Sequence, residues 1–193
     1  MKKSEIFQEE IQYIQDNAIR NSTKAMVEAI PDYFFEEAAS STGKYHPSYS
    51  LGKGGLLRHT KAAVRIAKEL LDDKVIGDKY TQHEKDLMIA ALIMHDSFKR
   101  GIVAEKYTRA DHPLIAANYI YEHKEEFSLK EEDALFLQKV IASHMGPWNK
   151  DYQGVEILPI PKTKWESFVH LCDYLASRKF LLVPFDEKDH ITV

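Results

Sequence analysis

Apolar residues recur every three or four positions along most of the chain, the spacing that places them on one face of an α-helix. Strand-like alternation is weak, and only Val155 to Ile160 suggests a brief extended piece. The pattern predicts helices at the following places: Ser4 to about Ile19, about Lys24 to Ala29, residues 31–40, about Leu56 to Asp72, Asp86 to Asp96, a start at His112, a start near Lys130, and a last helix ending near Phe180. We therefore expect an all-α fold.

Local signals mark several helix ends. Asp111 is expected to cap the helix that begins at His112, and Thr163 with Glu166 forms a capping-box pattern. Gly146-Pro147 is expected to stop the helix before it. Gly54-Gly55 serves either a close approach of the backbone or a flexible turn. The segment Asp86 to Asp96 is apolar all round in its middle, which predicts a central buried helix.

Six polar residues interrupt the apolar helix faces, where a core would take Leu or Val. A buried imidazole or carboxylate is costly unless something compensates it, and one cation compensates several at once. A single such histidine is usually a satisfied core residue, but six on five helical segments point to a shared divalent ion. Imidazole nitrogen and carboxylate oxygen suit Mn²⁺, Fe²⁺, Co²⁺, Ni²⁺ or Zn²⁺. The six are His59, His95, Asp96, His112, His144 and Asp173.

Composition narrows the class of protein. A chain of 193 residues with 44% hydrophobic residues predicts one domain with a short helical extension. The net charge of −4 gives no general grip on nucleic-acid backbone, although a local basic patch is compatible with it. Cys172, the one cysteine, excludes an intramolecular disulfide and a zinc site built on thiolates. The N-terminus lacks a signal-peptide core and the longest apolar run is too short for a bilayer, so we expect a cytoplasmic protein without a membrane partner.

The order of the six residues resembles the HD superfamily of metal-dependent phosphohydrolases. HDSFK, from His95 to Lys99, is similar to that family's H-D-x-x-K signature. LGKGGLLRHT, from Leu51 to Thr60, is similar to the opening of the HD domain in bacterial exoribonucleases that trim RNA from the 3′ end. The resemblance covers roughly residues 34–180 and implies an all-α HD bundle. The expected division is a helical extension over residues 1–50, the HD domain over 51–182 and a short tail over 183–193.

The resemblance also implies roles for the six residues. A first metal would be held by His59, His95, Asp96 and Asp173, and Asp96 would bridge to a second metal bound by His112 and His144. The expected cofactor is therefore one or two divalent ions of Mn²⁺, Fe²⁺, Co²⁺, Ni²⁺, Zn²⁺ or Mg²⁺. Asp96 and Lys99 would be catalytic, and Lys99 would contact a phosphate oxygen. Some two-metal relatives have a second histidine where this chain has Met145.

Function is expected to be hydrolysis of a phosphoester in a nucleotide or related small phosphorylated substrate. The alternatives are a 3′-end exoribonuclease acting on single-stranded RNA and a non-catalytic, metal-binding regulatory module. The exoribonucleases carry an oligonucleotide-binding barrel before the HD domain, whereas the first fifty residues here read as helical. Candidate substrate contacts are Lys99, Arg100, Arg109 and His46; ordinary surface charge is the other interpretation of the two arginines. His170, one turn before Asp173, is a candidate to support the metal ligands. The sequence leaves the oligomeric state open.

Overall fold

Helices account for the regular structure in the computed structural model, which describes residues 2–40, 42–181 and 183–192. These ranges hold nine α-helices: α1 Lys3–Ile6, α2 Gln8–Gln12, α3 Asn17–Glu28, α4 Gly55–Asp72, α5 Lys74–Gly77, α6 Gln82–Met94, α7 His112–Glu122, α8 Glu131–Ala142 and α9 Lys164–Ala176. The expected all-α fold is confirmed. In the described ranges, β-type pairing is confined to two isolated bridges, Lys150 with Glu156 and Phe185 with Ile191. Met1, Ser41, Leu182 and Val193, which the expected extension, loop, HD domain and tail include, lie outside the described residues.

Helix α6 is the centre of the bundle. Every residue from Asp86 to Met94 is buried, and the helix packs against α3, α4, α8 and α9. A helix that is apolar on all sides has no face suited to water, so it is stable only when neighbours surround it. The prediction of a central buried helix is confirmed. The helix starts earlier than expected because Thr81 and Glu84 form a capping box.

The single N-terminal helix expected from Ser4 to Ile19 is wrong, as is the separate short helix from Lys24. The chain breaks after α2, and one helix, α3, begins at Asn17. The Asp16 carboxylate accepts hydrogen bonds from the backbone N–H groups of Ala18 and Ile19, at 2.7 and 3.0 Å, and so starts a new helix.

A long-range contact fixes the same break. The buried carboxylate of Asp86 accepts the backbone N–H groups of Gln15 and Asp16, at 3.1 and 2.7 Å. These two backbone N–H groups therefore donate to a side chain of α6 and not to carbonyl oxygens of a continuous N-terminal helix. Sequence periodicity continues across the break, but the capping and the contact with α6 outweigh it.

Residues 31–40 form only a 3₁₀ turn at Asp32–Phe35, so the helix expected there is wrong. The chain then crosses close to the start of α4, where the backbone N–H of Ala39 bonds to the carbonyl of Ser50 at 3.0 Å. A Cβ on Gly55 would lie 2.3 Å from that carbonyl oxygen. Of the two interpretations of Gly54-Gly55, the close approach of backbone is the one that this contact supports.

Several helix ends in the second half differ from expectation. The Asp111 side chain makes no cap, because it accepts both hydrogen bonds from the Arg109 guanidinium at 2.8 Å. Helix α8 ends at Ala142, before the Gly146-Pro147 pair, so His144 lies in the following turn. Helix α9 ends at Ala176 rather than near Phe180. The capping box at Thr163 is confirmed.

Segments near both ends of the described chain pack on the bundle. Phe7 and Ile11 of the N-terminal segment are fully buried in the same core as α6. Near the C-terminus, the Phe185 ring lies 5.2 Å from that of Tyr49, and Asp189 pairs with Arg58 at 2.8 Å. The three-part division of the chain stays a prediction. In the described ranges, no helix is both long enough and apolar enough to cross a bilayer.

Candidate metal centre

Three histidines at helix ends have the same hydrogen-bond arrangement. His95 follows α6, His112 begins α7, and His144 lies just after α8. In each, Nδ1 lies 2.7–2.8 Å from the carbonyl oxygen three residues earlier; the acceptors are Leu92, Arg109 and Ile141. A carbonyl oxygen only accepts, so Nδ1 carries the proton and donates it. In the neutral ring, Nε2 is then a free lone pair, which is the form that binds a metal.

Asp96 lies between two pairs of imidazoles and presents a different oxygen to each. Its Oδ2 is 3.9 Å from Nε2 of His59 and 3.6 Å from Nε2 of His95. Its Oδ1 is 3.0 Å from Nε2 of His112 and 3.7 Å from Nε2 of His144. A carboxylate with one oxygen in each of two donor groups has the arrangement needed to bridge two ions.

Asp173 of α9 completes one of the two groups. Its Oδ1 lies 2.9 Å from Nε2 of His59 in α4 and 3.5 Å from Nε2 of His95. Donors 2.0–2.2 Å from a single ion lie about 3.0–3.5 Å apart in octahedral or tetrahedral sites. Two triplets in the described residues, sharing His95, have all their donor atoms within 4.8 Å of one another: His59, His95 and Asp173, and His95, Asp96 and His144.

Polar atoms in this cluster are buried without hydrogen-bond partners. They are Nδ1 of His59, Nε2 of His95, Oδ1 of Asp96, Nε2 of His112 and Nε2 of His144. An unpartnered buried polar atom costs about 1–3 kcal/mol, and five in one place are not offset by ordinary core packing. All five are imidazole nitrogens or a carboxylate oxygen, which are atom types that divalent ions bind. The residues present therefore fit a metal.

The electrostatics favour positive charge at the same place. Burial raises the pKa of Asp96, but the Lys99 ammonium, 2.6 Å away, and His95 outweigh it and hold the pKa well below its usual range. The hydrogen bond with His59 and the nearby imidazole of His95 do the same for Asp173 against its burial. Burial lowers the pKa of His95, but the two carboxylates outweigh this and raise it. His112, in contrast, has its pKa lowered by burial. Two ionised carboxylates, Asp96 buried and Asp173 half-buried, thus attract a cation.

The cluster forms the floor of a cavity of about 430 Å³. Its lining includes His59, Asp96, His144 and Asp173, with Lys99 beside them. This volume is in the usual range for a small-molecule site.

His46 also lines the cavity, with its ring 5.7 Å from that of His59. Burial lowers its pKa to about 4, so the ring is neutral at physiological pH. Lys99 and His46 are therefore within reach of a molecule in the cavity, and their roles as substrate contacts stay predictions.

Arg100 and Arg109 do not line this cavity. Arg100 pairs with Glu37 and donates to the backbone carbonyl of Glu105. Arg109 pairs with Asp111 and Glu105. Both guanidinium groups thus have carboxylate partners on the neighbouring surface, and their contact with substrate stays a prediction.

Sequence reasoning missed three residues at the mouth of the cavity. Trp148, Tyr174 and Arg178 line it together with Tyr45. The signals available were weak: Tyr174 adjoins Asp173, and Trp148 follows the Gly146-Pro147 turn shortly after His144. Nothing in the spacing brings residue 148 to residue 178, because the intervening loop decides where they meet.

Comparison with known proteins gives distant relatives. The chain is 27% identical over 157 residues to the 3′-5′ exoribonuclease YhaM of Listeria welshimeri, covering 76% of this chain and 47% of the relative. The YhaM protein of Bacillus licheniformis is 28% identical over 155 residues, covering 75% and 46%. That of Shouchella clausii is 31% identical over 120 residues, covering 58% and 34%.

The chain thus spans about half the length, or less, of these curated relatives. No protein-family model matches it, and no solved structure matches it significantly. The comparisons support distant homology to exoribonucleases of this name.

Proposed function

We propose that this protein is an HD-type, metal-dependent phosphohydrolase that cleaves a phosphoester bond of a nucleotide or related small phosphorylated substrate. The observation that carries the proposal is the cluster of inward-facing donors around Asp96, with four unpartnered Nε2 and Oδ1 atoms. Distant homology to proteins named exoribonuclease supports hydrolysis of phosphate esters as the reaction class.

Two ions are the occupancy that we propose for this cluster. One would be held by His59, His95, Asp96 and Asp173, and the other by Asp96, His112 and His144. When bound, a divalent ion supplies Lewis acidity, which neutralises charge on a phosphoryl group and acidifies water. Mn²⁺, Fe²⁺, Co²⁺, Ni²⁺ and Zn²⁺ match nitrogen-rich donors better than Mg²⁺ does.

The protein's own groups orient the substrate. Lys99 lies at the cavity wall with its Nζ 2.6 Å from Oδ2 of Asp96, so its ammonium can donate to a phosphoryl oxygen held beside that carboxylate. His46, neutral in its partly buried position, can accept or donate one hydrogen bond to the substrate. The half-enclosed cavity limits the water around the reacting phosphate.

A 3′-5′ exoribonuclease is the second candidate, and the names of the relatives favour it. The net charge of −4 argues for the small substrate, because a polymer needs several cationic contacts along its backbone. Binding of single-stranded RNA that weakens steeply with salt would support the exoribonuclease. Hydrolysis of mononucleotides without RNA binding would support the small substrate.

The decisive experiment measures phosphate-ester hydrolysis by purified protein on a panel of mononucleotides and short RNAs with each metal. Asp96→Asn should abolish turnover. Asp133→Asn is the matched control, because Asp133 is also a buried carboxylate paired with a histidine, His83 at 2.7 Å, but lies outside the cluster. Equal turnover in wild type and Asp96→Asn would refute the catalytic assignment. Metal binding without any turnover would instead identify a regulatory module.

A further inference from the structure

Aromatic side chains and one arginine surround the mouth of the cavity. The rings of Trp148 and Tyr174 are stacked, with centroids 5.7 Å apart and planes inclined by 12°. Trp148 is 51% exposed and Tyr45 is 53% exposed, although both line the cavity. Exposed planar rings beside a polar floor are not explained by core packing, since they leave apolar surface in water.

Arg178 joins these rings. Its guanidinium carbon lies 4.4 Å from the centroid of Tyr174, 5.4 Å from that of Tyr45 and 5.9 Å from that of Trp148. Contacts of this length are attractive cation–π contacts and hold the side chain in place.

The donors of Arg178 are only partly used. Nε and Nη2 donate to the hydroxyl of Ser177, at 3.1 and 2.8 Å, and Nη1 donates to no group in the described part of the chain. No carboxylate there pairs with it, unlike Arg100 and Arg109. A positioned cation with a free N–H edge at a cavity mouth is suited to an acceptor on a ligand.

We infer that this mouth, formed by Tyr45, Trp148, Tyr174 and Arg178, binds the nucleobase of the substrate. The inference rests on the proposed function and narrows its substrate class to phosphoesters that carry a base. The base stacks on the exposed face of Trp148, Arg178 donates to an acceptor on the nucleotide, and the phosphate lies at Lys99 on the floor. Every base has a flat π-face, so stacking selects nucleotides over sugar phosphates without selecting one base.

Binding can be tested without turnover. The chain has two tryptophans, so a Trp165→Phe protein reports fluorescence from Trp148 alone. Adenosine 5′-monophosphate should quench this signal saturably in the presence of a chelator, which prevents metal-dependent hydrolysis. Ribose 5-phosphate, which lacks only the base, should not. The same comparison with a short RNA whose 3′-terminal residue has or lacks its base extends the test to a polymer.

Variants in the otherwise native protein locate the site. Trp148→Leu should weaken binding of adenosine 5′-monophosphate about tenfold in equilibrium dialysis. The same substitution should leave the affinity for ribose 5-phosphate within twofold of wild type. Trp148→Phe should lose less nucleotide affinity than Trp148→Leu because it retains an aromatic ring. Arg178→Met should also weaken nucleotide binding. Tyr107→Leu is the matched control: Tyr107 is 70% exposed but does not line the cavity, so its loss should have no effect.

The outcomes separate the two proposals. Equal affinity for the two ligands, or unchanged nucleotide affinity in Trp148→Leu, would overturn the base site. Hydrolysis of ribose 5-phosphate as efficient as that of the nucleotide would also overturn it while supporting a phosphohydrolase. Nucleotide binding through Trp148 with no hydrolysis of any phosphoester would support the base site and refute the proposed function.

Discussion

The Nδ1–H of His170 donates to the backbone carbonyl of His144, with the two atoms 2.7 Å apart. This hydrogen bond ties α9 to the turn that follows α8, and that turn carries one of the cluster's imidazoles. The ring of His170 lies directly against Gly146, where a Cβ would come within 2.3 Å of it. His170 thus helps to hold the backbone of His144 in place.

Replacing His170 by Phe should weaken metal binding at the cluster. The ring is retained but the hydrogen bond to the His144 carbonyl is lost, so the turn is less well fixed. We expect a loss of metal affinity of about tenfold, the lower end of the range for residues that orient ligands. Isothermal titration with Mn²⁺ measures it. His123→Phe is the control, because His123 also bonds through Nδ1 to a carbonyl, that of Tyr119, but outside the cluster. An equal loss in both variants would contradict the positioning role.

Gly146→Ala should destabilise the protein more than Gly154→Ala. Both glycines have positive φ, +59° and +84°, so an alanine is strained at either position by about 1–2 kcal/mol. At Gly146 the new Cβ also collides with the His170 ring, whereas Gly154 has no atom within 4 Å of that position among the described residues. Urea unfolding measures the difference, and equal losses would show that the ring moves aside without cost.

Divalent metal should stabilise the protein against unfolding. An ion at 100 times its Kd adds about 2.7 kcal/mol to the free energy of unfolding. Asp173→Asn should lose most of this gain, because Asp173 supplies a donor 2.9 and 3.5 Å from two imidazole nitrogens. Asp133→Asn should retain it, whatever its effect on the metal-free protein. Thermal unfolding with Mn²⁺ and with a chelator gives the comparison; the same metal-induced shift in Asp173→Asn and wild type would exclude Asp173 as a ligand.

Lys99→Met should lower kcat/KM for phosphoester hydrolysis about a hundredfold, the usual loss when one donor to a developing anion is removed. Lys106→Met is the control, since Lys106 is an exposed lysine of the loop between α6 and α7 and does not line the cavity. Steady-state kinetics on the best substrate measure both. A Lys99→Met protein with unchanged kcat/KM would remove Lys99 from the mechanism.

The cap of α3 should make stability depend on pH in the acid range. Hydrogen bonds from the backbone N–H groups of Ile19 and Ala18 lower the pKa of Asp16, and the nearby side chains of His83 and Lys130 add to this. A lowered pKa in the folded state gives stability that is present above the unfolded value of 3.8 and lost as pH falls through the folded value. Asp16→Ala should therefore unfold more easily than wild type at pH 7, with a smaller difference at a pH well below 3.8. Urea unfolding at both pH values checks this, and a difference independent of pH would rule out the ionised cap.

The fold class followed from local physics. Periodic apolar residues predict helices wherever they occur, and the all-apolar stretch around Leu92 could only be central. The capping box of Thr163 could be predicted for the same reason, because its hydrogen bonds lie within one helical turn. The break before α3 was not, because Asp86, 70 residues away from Asp16, supplies the contact that fixes it.

The candidate site divides in the same way. The sequence by itself indicated that six costly polar residues would share one core; the structure buries five of them, leaves Asp173 half-buried, and brings their donor atoms together. The orientation of Asp96, with one oxygen toward each pair of imidazoles, depends on how four helices pack, and only the tertiary structure decided it. The cavity mouth likewise joins Trp148 to Arg178 across a loop and a helix, because side chains distant in sequence become neighbours only when the chain between them has folded.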